Sequence, residues 1–317
     1  MTIHFRKHSL GHEKTVSGIR SLFVLALGAL IVMVNLPGCS NDSPTSPERY
    51  VIVDQQIDRV RNSIENNAHF ELITDIDHAR LAEKEGVVMS PARLLVITSL
   101  DLERAVMAVD QRAMVDASFR VLIFKPEESD VSVIYNPAEF LVNRYAMPPA
   151  APSVQALQKI YQAGFQELLA SVDPQSLQLA PTTTAEAAGL IDIESPLDFD
   201  ETLSRIKSSI DEQGDTVWFG ELDYQQRLRS SGVEARPTTL LLFGGPKPGG
   251  QAMKHSSALG LDAFCQKVLI WQDESGQVRV TYNDLMAVAQ RLGEGESIPL
   301  RVIKMRLGYT FKNALGL

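Results

Sequence analysis

The sequence predicts an α+β fold made of two tandem repeats, each an antiparallel sheet packed by helices, the pair forming a pseudo-dimer. The first observation behind this is a constant offset. Asp77 and Asp223, Gly86 and Gly232, and Pro91 and Pro237 stand 146 apart, and Leu94 and Val96 match Leu240 and Leu242. After one inserted residue the offset becomes 147, pairing Val121, Leu122 and Ile123 with Val268, Leu269 and Ile270, and Tyr135-Asn136 with Tyr282-Asn283. Such recurrence over some sixty residues marks duplication. The second observation is apolar residues at helical spacing, and the third is short apolar runs separated by short polar loops, the pattern of adjacent antiparallel strands.

The chain has 317 residues, 44% hydrophobic and 22% charged, enough to bury two cores of ordinary size. Its N-terminal 38 residues carry Arg6, Lys7, Lys14 and Arg20 against Glu13, a net +3; with a formal −9 overall, the remainder stands at −12. A body this acidic with no basic patch repels phosphate backbones, which excludes nucleic acid as a partner.

Behind the basic stretch, residues 21–36 form an apolar run short for a membrane span, as in a secretory leader. It ends in Leu36-Pro37-Gly38-Cys39, which resembles the bacterial lipobox, with Pro37 as the one departure. That resemblance implies cleavage before Cys39 and its lipidation. Ser40 in the next position implies the outer membrane, and the body then faces the periplasm from the cell envelope. A retained signal-anchor helix is the rival reading. Residues 39–48 are a polar, Pro-containing tether.

Copy one spans 49–147 and copy two 188–293. Each begins with a helix, read from Ile57, Val60 and Ile64 and from Phe199, Leu203, Ile206 and Ile210. A strand follows, Phe70–Thr74 or Val217–Leu222. Asp77 or Asp223 then caps a short helix that stops at Gly86 or Gly232. The strands Leu94–Ile97 and Leu240–Phe243 come next. A helical stretch leads to a pair of strands, Arg120–Lys125 with Val131–Tyr135, or Lys267–Trp271 with Val278–Tyr282; the second pair is joined by a loop containing Gly276. A helix closes each copy, Phe140–Tyr145 or Met286–Leu292. Residues 148–187 hold a further amphipathic helix over 153–171 and a Pro- and Thr-rich linker from Asp173 to Ala187. Residues 294–317 are an extension in which Leu300–Met305 reads as an additional strand.

Several segments resemble signatures of one family, domain of unknown function 302. Asp75-Ile76-Asp77-His78-Ala79 with Ala82 and Gly86 is similar to the first, and Phe243–Gly250 with Met253 to the second. Val278–Asp284 is similar to the third and is echoed by Val131–Pro137. The resemblance implies a compact α+β domain, able to dimerise, and no established activity. Neither copy keeps every signature: copy two has Tyr224 where the family has His, and copy one has Thr98-Ser99-Leu100-Asp101 in place of the Gly-Pro-Lys loop.

The candidate chemistry falls at these segments. Asp75 and Asp77 share a face if they lie on a strand, and with His78 they form a possible metal or acid–base site; the plainer reading is that Asp77 caps a helix. Gly244, Gly245, Lys247 and Gly249 can cradle an anion, although Pro246 and Pro248 each remove an N–H donor; a rigid turn at the edge of a cleft is the alternative. Tyr282 and Asn283, like Tyr135 and Asn136, end strands where Asn can cap and Tyr can pack. Cys265 reads as a small buried apolar side chain with no disulfide partner once Cys39 is lipidated. No HExxH or Gly-x-Ser-x-Gly pattern occurs, no cofactor is expected, and the metal is left undetermined.

Three readings of the function remain open. One is a non-enzymatic envelope module that binds a small ligand or an envelope protein, with His78 and the Gly244–Gly250 segment on either side of one shared cleft. The other is a metal-assisted hydrolase using Asp75, Asp77 and His78. A purely structural spacer is a third.

Overall fold

In the computed structural model the short apolar runs pair into two five-stranded sheets, of strand order β1-β2-β3-β4-β5 and β6-β10-β9-β8-β7. The structure describes residues 48–182, 189–295 and 297–317. The leader, Cys39 and tether residues 39–47 lie outside the described residues.

Copy one, counted here with α5 and β5 of the 148–187 segment because they pack on its sheet, runs α1 (Glu48–Glu65), β1 (Glu71–Asp77), α2 (His78–Lys84), β2 (Ala92–Thr98), α3 (Leu100–Val109), a 3-10 turn (Gln111–Asp116), β3 (Phe119–Phe124), β4 (Ser132–Tyr135), α4 (Ala138–Arg144), α5 (Pro152–Leu168) and β5 (Leu177–Leu179). Copy two runs β6 (Leu190–Glu194), α6 (Phe199–Asp211), β7 (Val217–Asp223), α7 (Tyr224–Ser230), β8 (Thr238–Gly244), α8 (Pro246–Met253), a 3-10 turn (Ser257–Leu261), β9 (Gln266–Gln272), β10 (Val278–Asn283), α9 (Leu285–Arg291) and α10 (Ile298–Leu315).

The duplication extends to irregular detail. The β1–β2 register slips between Leu72 and Thr74, and the β7–β8 register slips between Trp218 and Gly220, at the same offset of 146. Asp77 accepts a hydrogen bond from the Arg80 amide at 2.8 Å, and Asp223 accepts one from the Gln226 amide at 2.9 Å, so both cap as expected. Gly86 and Gly232 end these helices at φ +77° and +80°, where a Cβ is strained.

Three expectations are corrected, and one is filled in. Leu300–Met305 is not a strand: it lies inside α10, where Leu300, Leu307, Phe311 and Leu315 repeat with helical spacing against the core. Within the linker that begins at Asp173, Leu177–Leu179 forms β5 and pairs parallel to β4. The Gly244–Gly250 segment is not a rigid turn: Gly244 ends β8, and Pro246 opens α8, where a proline's missing N–H costs nothing. Finally, Asn136 and Asn283 do not cap. α4 follows Pro137 without a side-chain cap, and α9 is capped by Asp284.

Neither copy closes its own core. The cluster built on sheet one takes in Leu222, Tyr224, Leu240, Leu242, Leu261 and Leu269 from copy two. The cluster built on sheet two takes in Tyr50, Ala79, Ala82, Val87 and Met89 from copy one. α2 lies against α8 so closely that a Cβ on Gly250 would fall 2.4 Å from the Ala82 Cβ; glycine is there because the helices touch. Residues 44–317 accordingly form one compact unit.

Candidate functional site

Asp75 and Asp77 do share a face of β1, and arginines fill it. Arg93, paired with Asp77 across the β1–β2 ladder, donates to Asp75 at 2.6 Å and stands 3.9 Å from Asp77. Arg61 of α1 also bonds Asp75, and Arg80 joins Asp77 at 2.6 Å to Asp54 at 2.7 Å. Guanidinium groups thus stand where a cation would sit. Among the described residues no group of three or more His, Cys, Asp or Glu side chains could hold a metal ion. In copy two, Glu221 pairs with Lys207 at 2.6 Å.

His78 does not join these carboxylates. It is buried and bonded to the backbone of Gly260 in copy two. His78 and the Gly244–Gly250 segment line one cavity together with Phe264 and Cys265, but its volume is about 20 Å³, room for about one water molecule. Lys247 stays outside it, exposed on α8. Among the described residues the Nε2 atom of His78 has no hydrogen-bond partner. Cys265 is held at φ +64°, with Arg120 Nη1 3.9 Å from its sulfur. Burial pushes its thiol up despite that guanidinium, so it is a neutral thiol rather than an activated nucleophile.

Burial, with Arg120 nearby, lowers the His78 pKa to about 4 against an ordinary 6.5. The unfolded chain therefore takes up this proton as pH falls below 6.5, and the folded chain does so only near 4. Stability is full above 6.5 and falls between those values, by about 3 kcal/mol from this one group. Urea unfolding at pH 7 and pH 4.5 checks this; His78→Gln is expected to flatten the difference, and an unchanged slope in the variant contradicts it.

The contact between the copies is a buried polar network with near two-fold repetition. Arg120 of copy one donates to the Leu261 carbonyl at 2.6 Å and lies 3.5 Å from Asp262; its counterpart Lys267, 147 residues on, binds Asp116 of copy one and stands 3.2 Å from Asp262. Arg144 bonds Asp116 at 2.9 Å and Asn283 at 2.7 Å; its counterpart Arg291 bonds Asp262 at 2.5 Å and Asn136 at 3.0 Å. Asn136 in turn donates to Asp262 at 2.9 Å. This accounts for the repeated asparagines. Burial would raise both carboxyls, but Lys267, Arg291 and Arg120 outweigh it at Asp262, and Arg144 and Lys267 outweigh it at Asp116, so both stay ionised. Tyr282, the neighbour of Asn283, is buried edge-on against Phe311, and burial lifts its pKa to about 12.

A much larger cavity, about 610 Å³, opens elsewhere in copy one, between α3 and α5. Phe119, which is buried, and Phe70 and Ile160, which are half-buried, form its floor; Ala105, Ala156 and Ala163 and the polar His69, Ser99, Asp101, Arg104 and Glu167 complete its lining. Gly164 lets α5 lie on the Phe119 ring, since a Cβ there would fall 2.4 Å from it. The corresponding place in copy two has Asp215, Thr216, Gly245, Gln266 and Arg306 and measures only about 40 Å³. There Arg306 reaches Asp215 at 2.6 Å across the site that Ile160 and His69 leave open. Sequence reasoning missed this cavity. Its only trace is the run of alanines on two helices that face each other only in the fold.

Comparison with known proteins supplies a family. The family described as "Domain of unknown function DUF302" matches residues 45–164 and 191–304, taking in most of α5 and the first part of α10. The chain is 30% identical over 138 residues to "Fluoride-specific ion channel FluC 1" of Brucella suis, covering 43% of this chain and 54% of that protein. It is likewise 30% identical over 138 residues to "Fluoride-specific ion channel FluC 2" of Brucella melitensis, covering 50% of that protein. The chain thus spans about half the length of the curated relatives it matches. Among the described residues no helix is long and apolar enough to cross a membrane. A solved structure, that of an uncharacterized conserved DUF302 protein from Bacillus stearothermophilus, aligns over 40% of this chain and 95% of its own, with 13% identity and a TM-score of 0.34. With both halves matched by one family, the chain belongs to the DUF302 family and carries two of its domains in tandem.

Proposed function

We propose that this protein is an envelope lipoprotein, held to the outer membrane through Cys39 and facing the periplasm, that works as a non-enzymatic binding module. Its ligand site is the cavity of copy one. The observation that carries this reading is the contrast between the copies: one place in a duplicated fold is about 610 Å³ in copy one and about 40 Å³ in copy two. A volume in the range of small-molecule sites, with an aromatic floor and a polar rim of both signs, suits a small amphipathic molecule with an apolar ring or chain and a polar end. The saturated arginine partners of Asp75 and Asp77 speak for binding rather than metal-assisted hydrolysis.

The test uses the fluorescent probe anilinonaphthalene sulfonate. Binding to the wild-type chain is expected, with at least about tenfold weaker binding in Ala105→Phe/Ala163→Phe, a loss of about 1.4 kcal/mol or more. Equal binding in that variant, with an unchanged melting temperature, removes the site. The anchor is tested separately by replacing Cys39 with Ser and fractionating cells. Release from the membrane fraction is expected, and retention like that of the wild type rejects the lipid link.

A further inference from the structure

The cavity of copy one does not end at its apolar floor. A second depression of about 280 Å³ shares His69, Phe70 and Ser99 with it. Its polar walls come from both copies: Glu71 of β1, and Arg227 and Ser230 of α7. Two depressions with three residues in common adjoin, so a molecule too long for the first can lie across both. The apolar chamber suits a chain or ring, and the polar chamber suits a head group.

The ion pairs along this lining narrow the head group. Arg227 is held by two carboxylates, Glu71 at 2.8 Å and Glu103 at 2.9 Å. Arg104 stands 3.5 Å from Asp101 and donates to Ser231. Neither guanidinium is left over for an anion. Among the described residues the partner of Glu167 is the neutral Asn67 amide, at 2.6 Å, so its charge is not compensated. That bond also holds Glu167 beside the shared residues His69 and Phe70. Glu71, Asp101 and Glu167 thus outnumber Arg104 and Arg227 along the lining, with Glu103 buried behind Arg227. In a partly enclosed groove that imbalance disfavours an anionic head group and favours a cationic one.

Copy two serves as an internal control. At the offset of 146, Glu71, Glu103 and Glu167 correspond to Val217, Gly249 and Asn313, and Asp101 corresponds to Lys247. Arg227, which α7 lends to the site of copy one, corresponds to Leu81 of α2. Leu81 lines the counterpart depression with Gly245, Pro246 and Gly249, and that depression measures only about 20 Å³. None of the four carboxylates is repeated. The acidic set therefore belongs to the one site with room for a ligand and is not a demand of the shared fold.

We propose that this site takes a single-chain amphiphile with an ammonium head group, its chain between α3 and α5 and its charge beside Glu71 and Glu167. This rests on the cavity of copy one being the ligand site and names the class of ligand. An anion can still enter by its apolar part, at a cost in affinity. The chain 39–317 with Cys39→Ser is titrated calorimetrically with dodecylammonium, dodecanol and dodecanoate, which share one tail, each below its micelle concentration. The titrations are run at pH 8, where an imidazole of ordinary pKa carries no charge. Dodecylammonium is expected to bind at least about tenfold tighter than dodecanoate, with dodecanol between them and a gap that narrows with salt. In Glu71→Gln/Glu167→Gln the gap is expected to shrink to about threefold or less. Glu127→Gln/Glu128→Gln removes the same charge from the exposed loop after β3 and is expected to leave the gap within about twofold of its wild-type value. Glu167→Gln alone, where the partner is neutral, repeats the test should the double variant fail to fold. An equal or reversed order of dodecylammonium and dodecanoate, or equal shrinkage in the two double variants, overturns the head-group assignment. The cavity itself then still stands if Ala105→Phe/Ala163→Phe weakens all three ligands. Binding by none of the three removes the cavity and the assignment together.

Discussion

Asp262→Asn is expected to destabilise the protein by about 3–5 kcal/mol, the effect of breaking a buried ion pair from one side. The carboxylate is 1% exposed and receives Arg291 at 2.5 Å, Lys267 at 3.2 Å and Arg120 at 3.5 Å. Removing its charge leaves those cations with Asp116 as the one remaining carboxylate of the network, and Asp116 is already engaged by Arg144, Lys267 and the Tyr145 hydroxyl. Asparagine keeps the volume and most hydrogen-bonding capacity, so the loss reports charge rather than a cavity. Denaturant unfolding with an unchanged m-value is the measurement. Adding Lys267→Met to Asp262→Asn is expected to recover part of the loss, because it removes one of the stranded cations. A single variant within about 1 kcal/mol of wild type shows that the network carries little of the fold.

The second large effect concerns the halves. A fragment of residues 44–182 is expected to lack a cooperative unfolding transition, and mixing it with a fragment of 183–317 is expected to restore one. Each core is completed by side chains of the other copy, Tyr224, Leu240 and Leu242 on one side and Ala79, Ala82 and Met89 on the other. Separation also strips Arg120 of the Leu261 carbonyl and Asp262, Lys267 of Asp116, Arg144 of Asn283 and Arg291 of Asn136. Circular dichroism and thermal scans of each fragment and of the mixture decide it. A fragment that melts cooperatively alone, near the temperature of the whole chain, contradicts the shared core. The result separates an obligate pair from two beads on one string.

These two predictions depend on the same geometry, a joint that has replaced an open cleft. His78 and the Gly244–Gly250 segment meet across it, yet they enclose space for about one water. The cavity with room for a ligand is lined by side chains of copy one alone.

What the chain's order of residues determined by itself was the repeat and its periodic elements. Asp77, Gly86, Asp223 and Gly232 act within a few residues of their own positions, by capping and by tolerating positive φ, so their roles were legible locally. The same holds for the amphipathic helices and for the hairpin around Gly276. Leu300–Met305 shows the limit: a short apolar run reads as strand or helix alike until its core partners, Phe243 and Tyr282 against Phe311, select the helix. Only the tertiary structure decided which polar residues face which. The arginines that neutralise Asp75 and Asp77 come from α1, α2 and β2, the partners of Asn136 and Asn283 come from the opposite copy, and the alanines of the large cavity sit on helices some fifty residues apart. Local sequence sets backbone preference within a turn or two, whereas ion pairs and cavities are made by surfaces that meet only after the chain has closed on itself.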